Sequence, residues 1–514
     1  MNTVNFITIP AAVAPEQEIL VFGARRRTYQ DLVDVVARLA GALRGLGLKR
    51  GDTVAALDTN SDLYVASYYA AAKNGLTFLP LNYRAKAPEL EYMINTAGAK
   101  VLLVGERYLS LAGQMRKSLS VASVVSLSDG AGDIASLEQL LSSAEPLDDD
   151  VEVDDEDTSV LMYTSGTTSR PKGVMLSYRD FTAYVTANVE MADGTDRGTA
   201  LVCVPFYHIA GMASLMTNLW TGRRMVVMAQ FEPAQWLELV AAEHVTHAFI
   251  VPTMMKKLLD HPDLDRANLS SLTNLAYGGA PMPLAVIRRA IEVLPRHIGF
   301  VNAYGQTETT SSLTVLGPDD HRLEGTPDEI ERKVRRLSSI GRPLPDVEVA
   351  VRSDDARILP PGEVGEILIR TPRTMKGYAG HANDAALPGG WRRTGDLGWL
   401  DDEGYVFFAG RKDDLIVRGG ENIAPAEVES VIGSHPAVDE VAVVGIPSVE
   451  WGQTVKAHVV LKPGMTVSKA ELIDFCRRHL ASFKCPEQVE FQDELPRNPL
   501  GKILRQQLRA REPV

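Results

Sequence analysis

The sequence predicts an α/β protein: a large N-terminal domain of layered α/β subdomains plus a small β-unit, with a smaller α+β C-terminal domain. Three observations predict it. Short apolar runs alternate with helical stretches through most of the chain. Residues 347–409 change to β-type runs split by Gly, Pro and Asp, and the texture changes again after Gly410. A length of 514 residues suits about three structural units at roughly 100–200 residues each.

The elements follow in order. Residues 29–47 place Leu32, Val35, Val36, Leu39 and Leu43 on one helical face, closed by glycines. Apolar runs at 54–57, 77–81 and 101–104 read as strands, and the rhythm returns at 201–205, 224–228 and 246–251. The acidic stretch 145–157 reads as a solvated linker, or equally as a charged loop inside one domain. Runs at 347–351, 362–370 and 404–410 predict hairpins of the small β-unit. Residues 425–434 predict a helix opened by proline, and 440–445 and 457–461 predict strands. Ser468 and Glu471 form a capping box before a further helix.

Composition excludes several classes. Apolar residues make up 45% and charged residues 23%, so the chain can bury large cores and is not disordered. The net charge of −13 argues against a nucleic-acid surface, and an anionic ligand would need a local cluster of cations. Cys203, Cys476 and Cys485 lack metal-ligand spacing and suggest a reducing compartment. The N-terminal stretch has no basic region or long apolar core, and no run approaches the roughly 18–20 apolar residues of a membrane span. A cytoplasmic protein, at most peripheral on a membrane, is expected.

The strongest motif is Tyr163–Gly173, YTSGTTSRPKG, directly after an apolar run. The hydroxyls of Tyr163, Thr164, Ser165, Thr167, Thr168 and Ser169, the freedom of Gly166, and the Lys172 ammonium suit a polyphosphate. It is not a Walker loop, and its bland alternative is a Ser/Thr-rich surface loop. Tyr304–Glu308, YGQTE, reads as a strand end, a glycine turn and a carboxylate. Glu308 is a plausible ligand for Mg²⁺ carried by ATP, and Thr307 a phosphate contact. Gly278–Pro281, Thr394–Asp396, Gly410–Asp414, Arg418–Asn422 and Pro496–Lys502 complete the set, each weak on its own.

Together, in this order and across nearly the whole chain, these motifs resemble the adenylate-forming (AMP-binding) superfamily: acyl- and aryl-CoA synthetases, nonribosomal adenylation domains and beetle luciferases. The resemblance implies an N-terminal AMP- and acyl-binding domain over 1–409, a hinge at 410–414 and a mobile C-terminal domain over 415–514. It implies nucleotide contacts from Thr164, Ser165, Gly166, Thr167, Thr168, Lys172 and Tyr304. Gly279 and Ala280 would line the acyl and nucleotide pockets, Thr394–Asp396 would form a turn whose Asp396 accepts two ribose hydroxyls, and Arg411 would also contact ribose or phosphate. Asp413 matches the hinge residue, and Gly420 the glycine past which pantetheine reaches the adenylate. Lys502 matches the lysine gripping the carboxylate and α-phosphate, and His208 the histidine flanking the carboxylate. The catalytic set is thus Lys502, His208, Thr307 and Glu308.

The implied activity is an ATP-dependent, AMP-forming acyl-CoA synthetase for a medium- or long-chain fatty acid. Alternatives are an aryl or alicyclic carboxylate:CoA ligase, an enzyme loading a carrier protein, and a catalytically silent nucleotide binder. Mg²⁺, ATP, CoA and a carboxylic acid are the expected partners, nucleic acid is not, and a dimer is a first guess. Residues 204–210 contain no Asp to hold a substrate ammonium, which disfavours amino acids. Met212, Tyr277, Ser311, Ser312 and Leu313 are pocket candidates. Ser169 departs from the family's glycine, which puts the loop's geometry in question. Asn422 falls where some relatives have an arginine and is given no role.

Overall fold

The structure, a computed structural model, describes residues 1–128, 134–164, 171–380, 386–497 and 503–509. Among the described residues the strands form four sheets. In one large sheet Glu18–Phe22, Arg224–Val227, Thr199–Val202, His247–Ile250, Asn274–Gly278 and Gly299–Gln306 run parallel, with antiparallel strands at both edges. In the other, Thr53–Leu57 pairs in parallel with Thr77–Pro80 and Ala99–Val104, and Thr77–Pro80 with Thr158–Thr164.

The two sheets share helices between them. Asp62–Lys73 buries every residue but Leu63, and its Tyr, Ala and Val side chains cover all faces. An all-round apolar helix is stable only when enclosed, which is its situation here. Tyr64 and Phe206, one from each half, meet with ring centroids 5.7 Å apart. This arrangement points the carboxyl ends of Thr158–Thr164, Thr199–Val202, Asn274–Gly278 and Gly299–Gln306 into loops carrying the sequence motifs. Ligands of open parallel sheets bind at such ends.

The small β-unit is an antiparallel sheet of Glu348–Arg352, Gly365–Arg370, Trp391–Leu400 and Val406–Arg411. The C-terminal sheet pairs Val438–Ser448 with Gly452–Leu461, and the Ser468–Glu471 capping box forms. The β-unit ends at Arg411 and the C-terminal sheet starts at Ile416, so the connecting segment is shorter at its N-terminal side than expected.

The linker reading of 145–157 is corrected. Leu147 is buried and its N–H donates to the Ala37 carbonyl at 2.9 Å. The Val151 N–H donates to the Lys73 carbonyl at 2.8 Å, and Lys73 pairs with Asp150 at 2.6 Å. The acidic stretch is a strap tied to the buried helix, inside one domain. Its negative charge offsets the Lys73 ammonium that the apolar helix carries inward.

Candidate active site

Asp396 lies at the centre of one network. Sequence reading expects a turn at Thr394–Asp396, but these residues belong to the strand Trp391–Leu400. Its pairing with Gly365–Arg370 skips from Leu397 to Arg393, so the three residues bulge out, with Gly395 at φ +71°. The bulge turns the Asp396 carboxylate inward, where it is fully buried. Tyr304 Oη donates to Oδ2 at 2.5 Å, Gln306 Nε2 donates to Oδ2 at 2.8 Å, and Arg411 Nε meets Oδ1 at 2.7 Å. Burial raises the Tyr304 hydroxyl well above its ordinary pKa, and the Asp396 charge adds to this. Burial works against the Arg411 charge, but Asp396, Tyr304, Glu308 and Asp414 outweigh it and hold the guanidinium charged. Oδ2 thus accepts two bonds from the protein, while Oδ1 is ion-paired with Arg411.

Glu308 forms the second focus. The expected glycine turn before it is absent, because the strand Gly299–Gln306 runs on through Gly305. Gly305 is required by proximity: a Cβ there would stand 1.8 Å from the Ser311 carbonyl oxygen on the returning strand. Thr307 and Glu308 then occupy the short 3-10 helix Thr307–Thr309. Tyr378 Oη donates to Glu308 Oε1 at 2.9 Å, and the Met375 N–H donates to the Glu308 carbonyl at 2.9 Å. The Lys172 ammonium lies 5.3 Å from the centre of the Tyr378 ring. Arg392 is buried nearby; burial opposes its charge, while Glu308 and Tyr378 favour it.

Thr164 and Lys172 are cross-strand partners, so the ends of the hydroxyl-rich loop are pinned side by side. Ser165, Gly166, Thr167, Thr168 and Ser169 lie outside the described residues, as does Lys502. Gly279, at φ +78°, and Ala280 directly follow the strand Asn274–Gly278, whose neighbour is Gly299–Gln306.

His208 stands at the N-cap of the helix Ile209–Thr221. Asn60 fixes the preceding loop: its Nδ2 donates to the Val204 carbonyl at 3.0 Å, and its Oδ1 accepts the Phe206 N–H at 2.8 Å. Burial, assisted by Arg84, pushes the His208 pKa down to about 3, so the imidazole is neutral near pH 7. Its Nε2 is buried with no hydrogen-bond partner among the described residues. A neutral ring with a vacant nitrogen suits an oxygen of a bound acid.

Three pocket candidates are otherwise engaged. Met212 and Leu313 pack in hydrophobic clusters, and Tyr277 Oη hydrogen-bonds His321 Nε2 at 2.9 Å. Ser311 and Ser312 open the strand Ser311–Leu316, which follows Glu308.

The segment around Asp413 is anchored on both sides. Lys412 pairs with Asp354 of the β-unit at 2.7 Å. Asp414 pairs with Arg509, near the C-terminus, at 3.0 Å, while Asp413 itself is exposed. Gly419 and Gly420, at φ +59° and +89°, form the two-residue tip between the paired Arg418 and Glu421. No heavy atom lies within 4 Å of where a Gly420 Cβ would stand, so the structure does not bring this tip against the Glu308 cluster. Lys256 and Asp439 meet at 2.6 Å and tie the C-terminal sheet to the large domain.

The Mg²⁺ expectation can be tested on the donor set. Among the described residues no group of three or more His, Cys, Asp or Glu is placed to hold a metal. One carboxylate, Glu308, remains, and Mg²⁺ is commonly held by one or two carboxylates plus substrate phosphates. The residues therefore fit an ion that arrives on ATP.

Sequence reading missed Tyr378, Gln306, Asn60 and Arg392. All four are ordinary polar or aromatic residues without a chemical pattern in the sequence.

Two α/β sheets feeding loops to one cluster of cations and carboxylates, joined to a small terminal domain, define an adenylate-forming enzyme. The AMP-binding enzyme model matches residues 8–379, and the AMP-binding enzyme C-terminal domain matches residues 427–502. The chain belongs to the AMP-binding enzyme family, as an AMP-forming acid–thiol ligase. It is 34% identical to a fatty acid–[acyl-carrier-protein] ligase, ScoC, of Streptomyces coeruleorubidus, over 97% of this chain and 94% of that protein. It is 35% identical to a feruloyl-CoA synthase of an Amycolatopsis species, covering 98% and 97% respectively. The amide bond synthetase McbA of Marinactinospora thermotolerans superposes with a TM-score of 0.88, at 30% identity and 99% coverage of both chains. No helix among the described residues is long and apolar enough to cross a membrane.

Proposed function

We propose that the protein activates an apolar carboxylic acid, a medium- or long-chain fatty acid in the first instance, and transfers it to the thiol of CoA. The observation that carries this reading is the neutral, unpartnered His208 nitrogen: it offers an acid oxygen a partner, and the adjoining loop offers no carboxylate for an ammonium. An aryl acid is the second reading, favoured by the similarity to a feruloyl-CoA synthase.

In the first step an oxygen of the acid attacks the α-phosphorus of ATP, and the bond to pyrophosphate breaks. His208 orients the acid, and Lys172 and Lys502 offset charge on the phosphates. Thr307 contacts phosphate, and Thr164 and its loop, Ser165 to Thr168, cradle it. Glu308, fixed by Tyr378, would hold Mg²⁺, whose chemistry is to neutralise phosphate charge. Gly279 and Ala280 let the adenylate lie close to the backbone, Tyr304 packs beside adenine, and Asp396 with Arg411 receives the ribose. In the second step the thiol attacks the acyl carbon and AMP leaves. Lys502 and Gly420 both follow Asp413, so rotation at Asp413, between two anchored neighbours, would present them in turn.

The test is pyrophosphate release with acetate, octanoate, palmitate, ferulate, benzoate and an amino acid, with and without CoA. We expect release with octanoate or palmitate, turnover raised by CoA, and an acyl-CoA product. Best turnover with ferulate or benzoate establishes the aryl reading. Release unaffected by CoA but raised by holo carrier protein or an amine moves the acceptor away from CoA. Release with no acid overturns the proposal.

A further inference from the structure

The turn that follows Glu308 is strained in two ways. Thr310 sits at φ +51°, ψ +56° and Ser311 at φ +83°, two consecutive non-glycine residues in the left-handed region. A β-branched residue there is a genuine outlier. Thr310 is also fully buried, and its hydroxyl has no hydrogen-bond partner among the described residues. Such a conformation persists only where its surroundings impose it.

The structure identifies what imposes it. Arg373 is fully buried. Its Nη1 donates to the Thr309 carbonyl at 2.9 Å and its Nη2 to the Ser312 carbonyl at 2.8 Å, so one guanidinium brackets both left-handed residues. Asp346 orients the fork, accepting from Nε at 2.6 Å and from Nη2 at 3.2 Å. The Tyr184 ring closes one side, with its centroid 5.0 Å from the guanidinium carbon. A buried ion pair is a poor source of stability, because an apolar side chain of similar volume commonly does as well. What an apolar side chain cannot supply is two donors at the spacing of two inward-facing carbonyls.

Arg373 also lies on the segment that grips Glu308. Two residues further, the Met375 N–H holds the Glu308 carbonyl, and Tyr378 holds its carboxylate. We propose that Arg373, seated on Asp346, is a positioning residue for acid activation: it imposes the Thr310–Ser311 turn and so sets Glu308 and the Ser311–Ser312 wall. This rests on the function proposed above, in which Glu308 and that wall serve ATP and the acid.

The test compares wild type, Arg373→Met, Arg373→Lys and the double variant Arg373→Met/Thr310→Gly. Two readouts are used: kcat and KM for pyrophosphate release, and amide hydrogen exchange over residues 307–313, which needs no substrate. Misplacing a reacting group by about 1 Å costs roughly 100-fold, so Arg373→Met should lower kcat by about 10- to 100-fold and speed exchange in the turn. Arg373→Lys should not restore kcat, because one ammonium cannot span both carbonyls. Glycine at 310 removes the strain, so the double variant should recover about tenfold in kcat and regain slow exchange. A kcat for Arg373→Met within twofold of wild type overturns the proposal, as does a loss that Thr310→Gly leaves unrepaired. Where Arg373→Met fails to fold, recovery of folding by the added Thr310→Gly supports the proposal, and failure to recover overturns it. A wild type that releases no pyrophosphate with any acid sinks the functional reading alone, and the exchange arm then decides the role of Arg373 in the turn.

Discussion

Three neighbours engage the Asp396 carboxylate: Tyr304 and Gln306 donate to Oδ2, and Arg411 pairs with Oδ1. A nucleotide sugar must therefore share Oδ1 with Arg411 or move its half-exposed guanidinium aside. Asp396→Asn keeps the shape but turns one acceptor into a donor facing other donors. At about 1.5–3 kcal/mol for a hydrogen bond to a charged group, ATP affinity should fall about 10- to 100-fold, checked by calorimetric titration. Asp396 and Glu308 were singled out in the sequence through the order of the motifs that carry them, each weak on its own. Tyr378, Gln306 and Asn60 were not, because each matters through where its one or two bonds point. That direction comes from pairings across 70 to 146 residues of chain.

At the scale of elements, period and caps read well. The 29–47 helix, the Ser468 capping box and the parallel strands lie where the apolar pattern puts them. The errors fell on glycines and acidic residues. Gly305 and Gly395 were read as turns, yet one sits in a strand for want of space and the other forms a bulge. A lone sequence does not distinguish these uses of glycine, because the deciding neighbour is a distant strand. The 145–157 strap misled for a similar reason: its one deeply placed anchor, Leu147, is hidden among charges. The Gly419–Gly420 tip gives a prediction at this scale. Gly420→Leu should leave acyl-adenylate formation near wild type and slow thioester formation from supplied acyl-AMP by about tenfold or more, since left-handed geometry strains a branched residue. Equal loss in the two half-reactions would count against separate faces.

Across the whole molecule, the titration of buried histidines sets a pH dependence. Burial depresses His208 to about 3, and His247 and His321 to about 4. The unfolded chain takes up these protons near pH 6.5, whereas the folded chain refuses them until far lower pH, so stability falls as pH drops from about 6.5 toward 4. Asp58, raised to about 6 by burial, acts in the opposite direction, but it is one group against three. The fully buried His321 alone is worth about 2 kcal/mol at pH 5. The thermal midpoint should therefore fall between pH 7 and pH 5, and His321→Gln should flatten the slope. A midpoint that rises over that range would show that other groups dominate. Division into a large α/β part, a β-unit and a terminal domain was legible from texture alone, but the pairing of strands within the two large sheets was not, since parallel neighbours leave no local mark.

Residues 371–379 touch three bodies at once. They leave the β-unit, brace the turn after Glu308, and pair through Gly377–Tyr378 with the strand Lys172–Ser177. The segment 304–316 is consequently not a detachable cassette. A graft of 304–316 from a relative with another acid preference would arrive without the arginine and aspartate that shape its bend. Such a graft should work only when positions 346 and 373 travel with it, three separate stretches of chain behaving as one unit of inheritance.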